Sequence, residues 1–445
     1  MNRTMSALAC ACLMASLPAG AQTVLNLSQA YRAALEQDAQ IRSARAGADA
    51  KRERLPQALS QLLPNISANA SQNRNHLNST TPGLTGPVTS EQHYNSSSRA
   101  LVIRQPIFRP YQIAEYQQAK AAVADANATL DKETQNVAVR VSGAYLNALL
   151  AQDQLALVIA QKAAYTTQLD AATKRFRGGA GVRTDIDEAQ ARLDMAIAQE
   201  LEARQNVEYT RRQLQVMVNA PVTALAPVDE RKLREANFQP NRLEDWTERA
   251  ELTSPELRSL RAQREAARRE IDKARSGHLP TLDAVAQWSI TDSDNVTRVD
   301  TRYNTKSIGV QLNVPIFAGG YTSSQTRQAV AELERVEQAL EATRRDLALR
   351  VETEFRGITE GVLRIRALEQ AVHSAEVTVE SNRRSFQGGS RTLVDILNAE
   401  QQLVSAQRDL ANARYTYMIS RVRLRALAGE ADETAIAEVN GWLKP

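Results

Sequence analysis

Cysteine is almost missing from this 445-residue chain: it occurs at positions 10 and 12 and nowhere after residue 21. Both lie in a leader carrying Arg3, an apolar run from Met5 to Leu17, a breaker at Pro18 and small residues at Ala19 and Ala21. That is the pattern of a secretory signal ending in Ala-x-Ala, so residues 1–21 are expected to be removed. Neither cysteine has a good lipobox context, so acylation is not expected, and the remaining chain has no thiol, disulfide or thiolate metal ligand. Long hydrophobic runs are missing too. No stretch of roughly 18 apolar residues follows the leader, so no helix is expected to cross a bilayer and any membrane-spanning part must consist of strands. Nor is there an excess of one charge: 55 basic against 51 acidic residues, a net of +4, excludes a strongly basic nucleic-acid surface. Aromatic residues are scarce at 4% beside 24% charged, a balance that suits long solvated helices better than one large core. The histidines, at 76, 93, 278 and 373, show no ligand spacing such as His-Glu-x-x-His, and neither a nucleophile elbow, a P-loop nor a zinc pattern occurs. Carboxylates sit on the flanks of helical stripes, where pairing with Arg or Lys four residues away accounts for them. Neither catalysis, a cofactor nor a metal is expected.

What is present is a duplication. Shifting the chain by 209 to 210 residues lays Pro106-Ile107-Phe108 on Pro315-Ile316-Phe317, Arg140-Val141 on Arg350-Val351 and Phe176-x-Gly178-Gly179 on Phe386-x-Gly388-Gly389. Asp185-Ile186 then meets Asp395-Ile396. Two halves share one plan: helix, Leu-Pro, two strands, Pro-Ile-Phe, long helix, Gly-Gly turn, long helix. In the last of these helices Leu403, Leu410, Tyr417 and Leu424 recur every seven residues, each followed three residues later by Ala406, Ala413, Ser420 or Leu427. A strict heptad keeps its stripe on a partner only by left-handed supercoiling, so these are read as coiled-coil helices. From Tyr111 to Arg177 no proline intervenes, and at 1.5 Å per residue that helix reaches on the order of 100 Å.

Period-two alternation marks the strands. Ile308, Val310, Leu312, Val314 and Ile316 alternate with polar or small residues, Leu101, Ile103 and Ile107 do so less cleanly, and Leu282 to Ile290 and Ile66 to Ala70 supply two more segments of about ten residues. Segments 72–93 and 291–304, rich in Asn, Ser and Thr, are expected to be extracellular loops. Tyr94 and Tyr303 at one end, Phe108 and Phe317 at the other, and Trp288 between them are candidate membrane-interface aromatics. Four strands cannot sit in lipid with open edges, because the edge N–H and C=O groups would stay unpaired. Several chains must therefore close the barrel. Soluble hairpins packed on helices remain the alternative at this point, since alternation alone does not separate lipid from a protein core.

The duplicated plan, the Pro-Ile-Phe elements, the run from Phe386 to Ala399 and the run Ala411-Asn412-Ala413-Arg414-Tyr415-Thr416-Tyr417 resemble the TolC outer-membrane factor family across nearly the whole chain after the leader. The resemblance implies an α+β membrane protein: a coiled-coil α-barrel in the periplasm, continued by a transmembrane β-barrel of four strands per protomer and closed as a trimer in the outer membrane. It implies passive exit of drugs, small molecules or a secreted protein through a tripartite pump or type I secretion system, with outer-membrane lipid, a periplasmic adaptor and an inner-membrane transporter of RND, ABC or MFS type as partners. The expected division is 22–64 helical, 65–108 strands, 109–220 helical hairpin, 221–247 equatorial, 248–279 helical, 280–317 strands, 318–428 helical hairpin and 429–445 equatorial.

Gly178, Gly179, Gly388 and Gly389 are expected at the adaptor-docking tips, with a periplasmic gate beside them. Arg391 matches the family's gating arginine, with Thr184 and Asp185 as its partners, and Asp395 matches the first of two acidic residues ringing the constriction. Asn398 replaces the second, and Phe386 replaces a latching tyrosine and cannot donate its hydrogen bond. A plainer reading of the same residues is available, in which Thr392 caps a helix whose N3 position is Asp395 and Arg391 is a solvated surface cation. The competing function is a periplasmic adaptor or coiled-coil structural protein, which would need one helical hairpin where this chain has two.

Overall fold

A computed structural model describes residues 24–234, 238–294 and 300–444. The leader at 1–21, with both cysteines, lies outside the described residues. Three helices open the chain, α1 (Leu27–Gln37), α2 (Ala39–Arg52) and α3 (Arg54–Ser60), followed by strands β1 (Asn65–Gly83) and β2 (Gly86–Phe108) and the long hairpin of α4 (Pro110–Arg177) and α5 (Arg183–Val218). The second half gives α6 (Glu230–Arg234), α7 (Leu243–Thr253), α8 (Pro255–Arg275), β3 (Thr281–Asp294), β4 (Asp300–Asn313) and the hairpin of α9 (Tyr321–Gln387) and α10 (Leu393–Leu427), before the short α11 (Glu433–Asn440). The 68 residues of α4 and the 67 of α9 are each about 100 Å of continuous helix. Both begin and end in step with the sequence duplication. No helix among the described residues is long and apolar enough to cross a membrane.

The heptad stripe of α10 is what packs: Leu410, Ala413, Tyr417, Ser420 and Leu424 are buried. On α4 the buried positions are mostly Ala, among them Ala126, Ala128, Ala138, Ala144, Ala148 and Ala151, so neighbouring backbones approach closely. A large apolar cluster joins the middle of α4 and α9 to α1, α7, the base of α10 and α11, and a small one, centred on Tyr165, Ala189, Ala196, Leu393 and Leu397, lies near the hairpin tips.

At the large cluster the segment after α5 and the chain after α10 come together. Leu25 bridges Leu225, and Val228 bridges Leu443. The Tyr145 hydroxyl, fully buried, donates to the Leu25 carbonyl at 2.9 Å and accepts from the Ala226 N–H at 3.0 Å. Burial pushes its pKa up, so it stays a neutral donor at any physiological pH. Tyr145→Phe should cost about 1–3 kcal/mol through unsatisfied buried backbone groups. Faster amide exchange confined to the bridged segments around Leu25 and Ala226 would report it, and unchanged exchange there would contradict it.

The four strands form one antiparallel sheet in the order β1-β2-β3-β4. Two expectations need correction. The polar segment 72–93 is not a loop: β1 and β2 pair without interruption from Asn65↔Arg104 to Gly83↔Gly86 around the two-residue turn Leu84-Thr85. Its residues are polar on both faces, so period-two alternation leaves no mark there. β3 and β4 likewise take up most of 291–304, of which 295–299 lie outside the described residues. At the other end β4 stops at Asn313, opposite Thr281, the first residue of β3. Within the protomer, Val314 to Phe317 have no strand left on the β3 side to pair with, and Pro315 has no N–H to offer. β2 continues to Phe108 because β3 still faces it there, with a register shift between Pro106 and Phe108.

Candidate functional site: the sheet band and the helical tips

Cross-strand partners point to the same side of a sheet, so the register sorts every strand residue onto one of two faces. One row runs Ile66, Ile103, Ala286, Ile308; the next runs Ala68, Leu101, Trp288, Lys306; below them Ala284 meets Val310, and Phe108, Leu282 and Leu312 close the band at its foot. These apolar side chains are open to the surroundings, Ile308 at 88% and Val310 at 68% exposure. The opposite face carries Ser67, Val102, Gln287 and Ser307, then Asn69, Ala100, Ser289 and Thr305. From Leu282 to Trp288 the band is about 20 Å long along the strand, bounded above by the row that joins Arg99, Ile290 and Asn304. One face is thus suited to hydrocarbon and the other to water.

The candidate aromatics divide between these faces. Trp288 and Phe108 lie on the apolar face, and Phe317 is exposed in the segment after β4. Tyr94, opposite Asn75, and Tyr303, opposite Thr291, lie on the polar face. The two-residue period of the strands therefore sets these tyrosines on the face opposite Trp288. Where the sheet meets the helices, Arg109 at the start of α4 holds the buried carboxylate of Asp283 through two hydrogen bonds, which fixes the angle between strand and helix.

At the far end both helical hairpins close in the same way. Gly179 and Gly389 adopt φ of 77° and 78°. Their N–H groups donate to the Phe176 and Phe386 carbonyls, and those of Ala180 and Ser390 donate to Arg175 and Ser385, the two bonds of a Schellman ending. The left-handed φ explains why each turn needs its second glycine. The first, Gly178 or Gly388, has an ordinary negative φ.

The proposed gate residues gather just past the second turn, in a form closer to the plainer reading. Thr392 and Asp395 make a full capping box: Asp395 accepts from the Thr392 N–H and hydroxyl at 2.9 Å each, and its own N–H donates to the Thr392 hydroxyl at 3.3 Å. The Thr392 backbone bond first, then the hydroxyl and more weakly Arg391, hold the Asp395 carboxyl below the ordinary carboxylate range. Arg391 approaches Asp395 at 3.7 Å. Among the described residues it has no hydrogen bond or ion pair to Thr184 or Asp185 within the protomer. Phe386 packs beneath the guanidinium of Arg175 at 4.1 Å.

Sequence reasoning missed the ties between the two coils. Arg192 on α5 reaches α10, donating to Asn398 at 3.1 Å and also to Gln401. Buried Glu400 accepts from Arg383 on α9 at 2.7 Å and from Gln168 on α4 at 3.4 Å. Asn382 donates to the Asp395 carbonyl at 3.1 Å. The signal available was that Glu400 lies on an otherwise small and apolar stripe. Two of the four histidines, scattered in sequence, are also brought together: His76 stands opposite His93 in the β1–β2 ribbon.

Comparison with known proteins agrees with this architecture. The sequence profile described as "Outer membrane efflux protein" matches residues 30–220 and 246–430. The chain is 34% identical to the alkaline protease secretion protein AprF of Pseudomonas aeruginosa, over 92% of this chain and 85% of that protein. It is 32% identical to the outer membrane protein TolC of Vibrio cholerae, over 94% of each. Its fold matches that of the CmeC outer membrane channel of Campylobacter jejuni with a TM-score of 0.79 at 17% identity, over 94% of this chain and 90% of that one.

Proposed function

Because the chain belongs to the outer membrane efflux protein family, we propose that it is the outer-membrane exit duct of an export system and that three copies form the working unit. The observation that carries this reading is the sheet: an apolar outer band, a polar opposite face and two free edges, β1 and β4. In lipid those edges must pair. β1 and β4 run in opposite directions in a four-stranded antiparallel order, so β4 of one copy can meet β1 of the next antiparallel, and repetition around an axis closes a barrel without mismatch. The polar face then lines the lumen, and the two helical hairpins of each copy, built on the roughly 100 Å helices α4 and α9, carry the tunnel into the periplasm. There is no catalytic centre in this reading. Substrates pass down a wide path whose direction is set by an inner-membrane transporter and a periplasmic adaptor docked at the Gly178-Gly179 and Gly388-Gly389 tips. The adaptor reading is disfavoured by the two hairpins and by the lipid-suited band.

Protein cargo is the reading favoured here, on the likeness to AprF, whose name is that of a protease secretion protein. The gate is assigned to the helix tips. Capping leaves Asp395 ionised, so three copies present three carboxylates around the axis, with Asn398 neutral and tied back to Arg192. In this reading Arg391, which contacts Asp395 but neither Thr184 nor Asp185 of its own protomer, pairs with those residues of the neighbouring one. Single-channel recording of the detergent-purified protein in planar bilayers tests this. Arg391→Ala should raise the resting conductance severalfold while Arg384→Ala, a tip cation already held by Glu380, leaves it unchanged. A resting conductance unaltered by Arg391→Ala would return that residue to the surface.

A further inference from the structure

Among the described residues β3 reaches only Ser96 on its β2 side, and residues 73–95 run on beyond that point as a two-stranded ribbon. Such a ribbon is marginal alone in water. On one face of it stand three side chains with ligand atoms. His76 and His93 are direct cross-strand partners, and Glu91 lies two residues from His93 and therefore on the same face. The imidazoles stack with centroids 4.5 Å apart and planes 14° from parallel. His76 Nε2 is 2.6 Å from a Glu91 carboxylate oxygen, and His93 Nε2 is 3.7 Å from the same oxygen. One ligand atom from each residue fits within 4.8 Å of the other two.

We propose that His76, Glu91 and His93 bind a borderline divalent metal ion of the zinc or nickel class, clasping the two strands of the projecting ribbon. Two imidazoles and a carboxylate are the donor set such ions favour over calcium or magnesium, and three protein ligands leave one position for water. Bonds of about 2.0–2.2 Å at tetrahedral angles put neighbouring donor atoms about 3.3–3.6 Å apart, near the 3.7 Å between His93 and Glu91 and wider than the 2.6 Å hydrogen bond between His76 and Glu91, which must open to admit the ion. The stacked rings must also tilt towards each other so that both Nε2 lone pairs meet one ion, a rotation these exposed side chains are free to make. A residue pair at i, i+2 on one strand with a third ligand opposite is also a placement the strand geometry enforces, because all three side chains must leave the same face. Without metal, the short His76–Glu91 hydrogen bond holds the same groups together. Arg74, two residues from His76 on that face, is the nearby cation of the ribbon and is long enough to turn away. The site is complete within one chain, so it does not depend on barrel closure or on the duct reading.

The test is equilibrium dialysis of the purified full chain in detergent against zinc chloride, together with amide exchange across residues 73–95. Saturable binding of one zinc per chain is expected, with slower exchange in the ribbon when zinc is present. His93→Gln and His76→Gln should each weaken binding at least tenfold and abolish the slowing; His278→Gln and His373→Gln, exposed and remote in sequence, should change neither. Absence of saturable binding, or binding that survives His93→Gln, would overturn the proposal. So would binding that follows His278 or His373.

Discussion

Val310→Arg should prevent stable insertion in the outer membrane. Val310 sits mid-band on the apolar face, opposite Ala284 and flanked by Ile308 and Leu312 two residues away on either side. An arginine at the midplane of a barrel's lipid face costs about 2–4 kcal/mol, and closure by three copies would incur it three times. The neighbouring substitution Gln311→Arg places the same charge one residue further, on the polar face with Asp283, and should assemble normally. The comparison isolates the face from the charge. Carbonate extraction and detergent fractionation would read it, and equal recovery of both variants in the integral fraction would contradict the assignment of faces.

Arg421→Ala should loosen the junction of α10, α11 and the segment before α7. Its guanidinium, on a residue only 5% exposed, lies 5.0 Å from the Phe238 ring, 5.3 Å from Trp442 and 5.9 Å from Tyr417, and it is paired with Glu438 on α11. It thus joins α10, the segment before α7 and the C-terminal helix. A desolvated cation over aromatic faces contributes about 2 kcal/mol, and the emptied site leaves Glu438 with Arg425 as its remaining partner there. A loss of about 3 kcal/mol corresponds to about a hundredfold faster amide exchange in α11, at tenfold per 1.4 kcal/mol. Exchange in α11 that stays within a factor of about two or three of the unaltered protein, on that same conversion, would refute this account of the junction.

Much of this architecture could be read from the chain. The heptads at Leu410, Tyr417 and Leu424 gave their helix and its buried stripe, and the Gly-Gly pairs gave both tips, because helix period and glycine φ are local properties. The strands were legible only where one face is greasy. Ile308, Val310 and Leu312 alternate with polar residues, whereas Asn73 to Gly83 are polar on both faces and pair on the strength of backbone bonds and a tight turn. The early end of β4 depends on where β3 begins, which is far back in sequence at Thr281. Tyr94 and Tyr303 were placed by strand position without parity, and parity decides the face. Contacts such as Arg192 with Asn398, or His76 with His93, arise between elements, and no spacing within either element announces them.

Barrel closure between copies is tested most directly by cysteine crosslinking, for which the absence of cysteine beyond residue 21 leaves a clean background. One cysteine at Ser67 in β1 would be combined in turn with one at each position from Lys306 to Leu312 in β4. Within a protomer these edges are three strand spacings apart, about 14 Å, beyond the roughly 7 Å limit between Cα atoms for a disulfide. The account predicts that at least one register yields a covalent species of three chains and none larger under denaturing electrophoresis. Failure of every register to crosslink, or a ladder running past three chains, would contradict it.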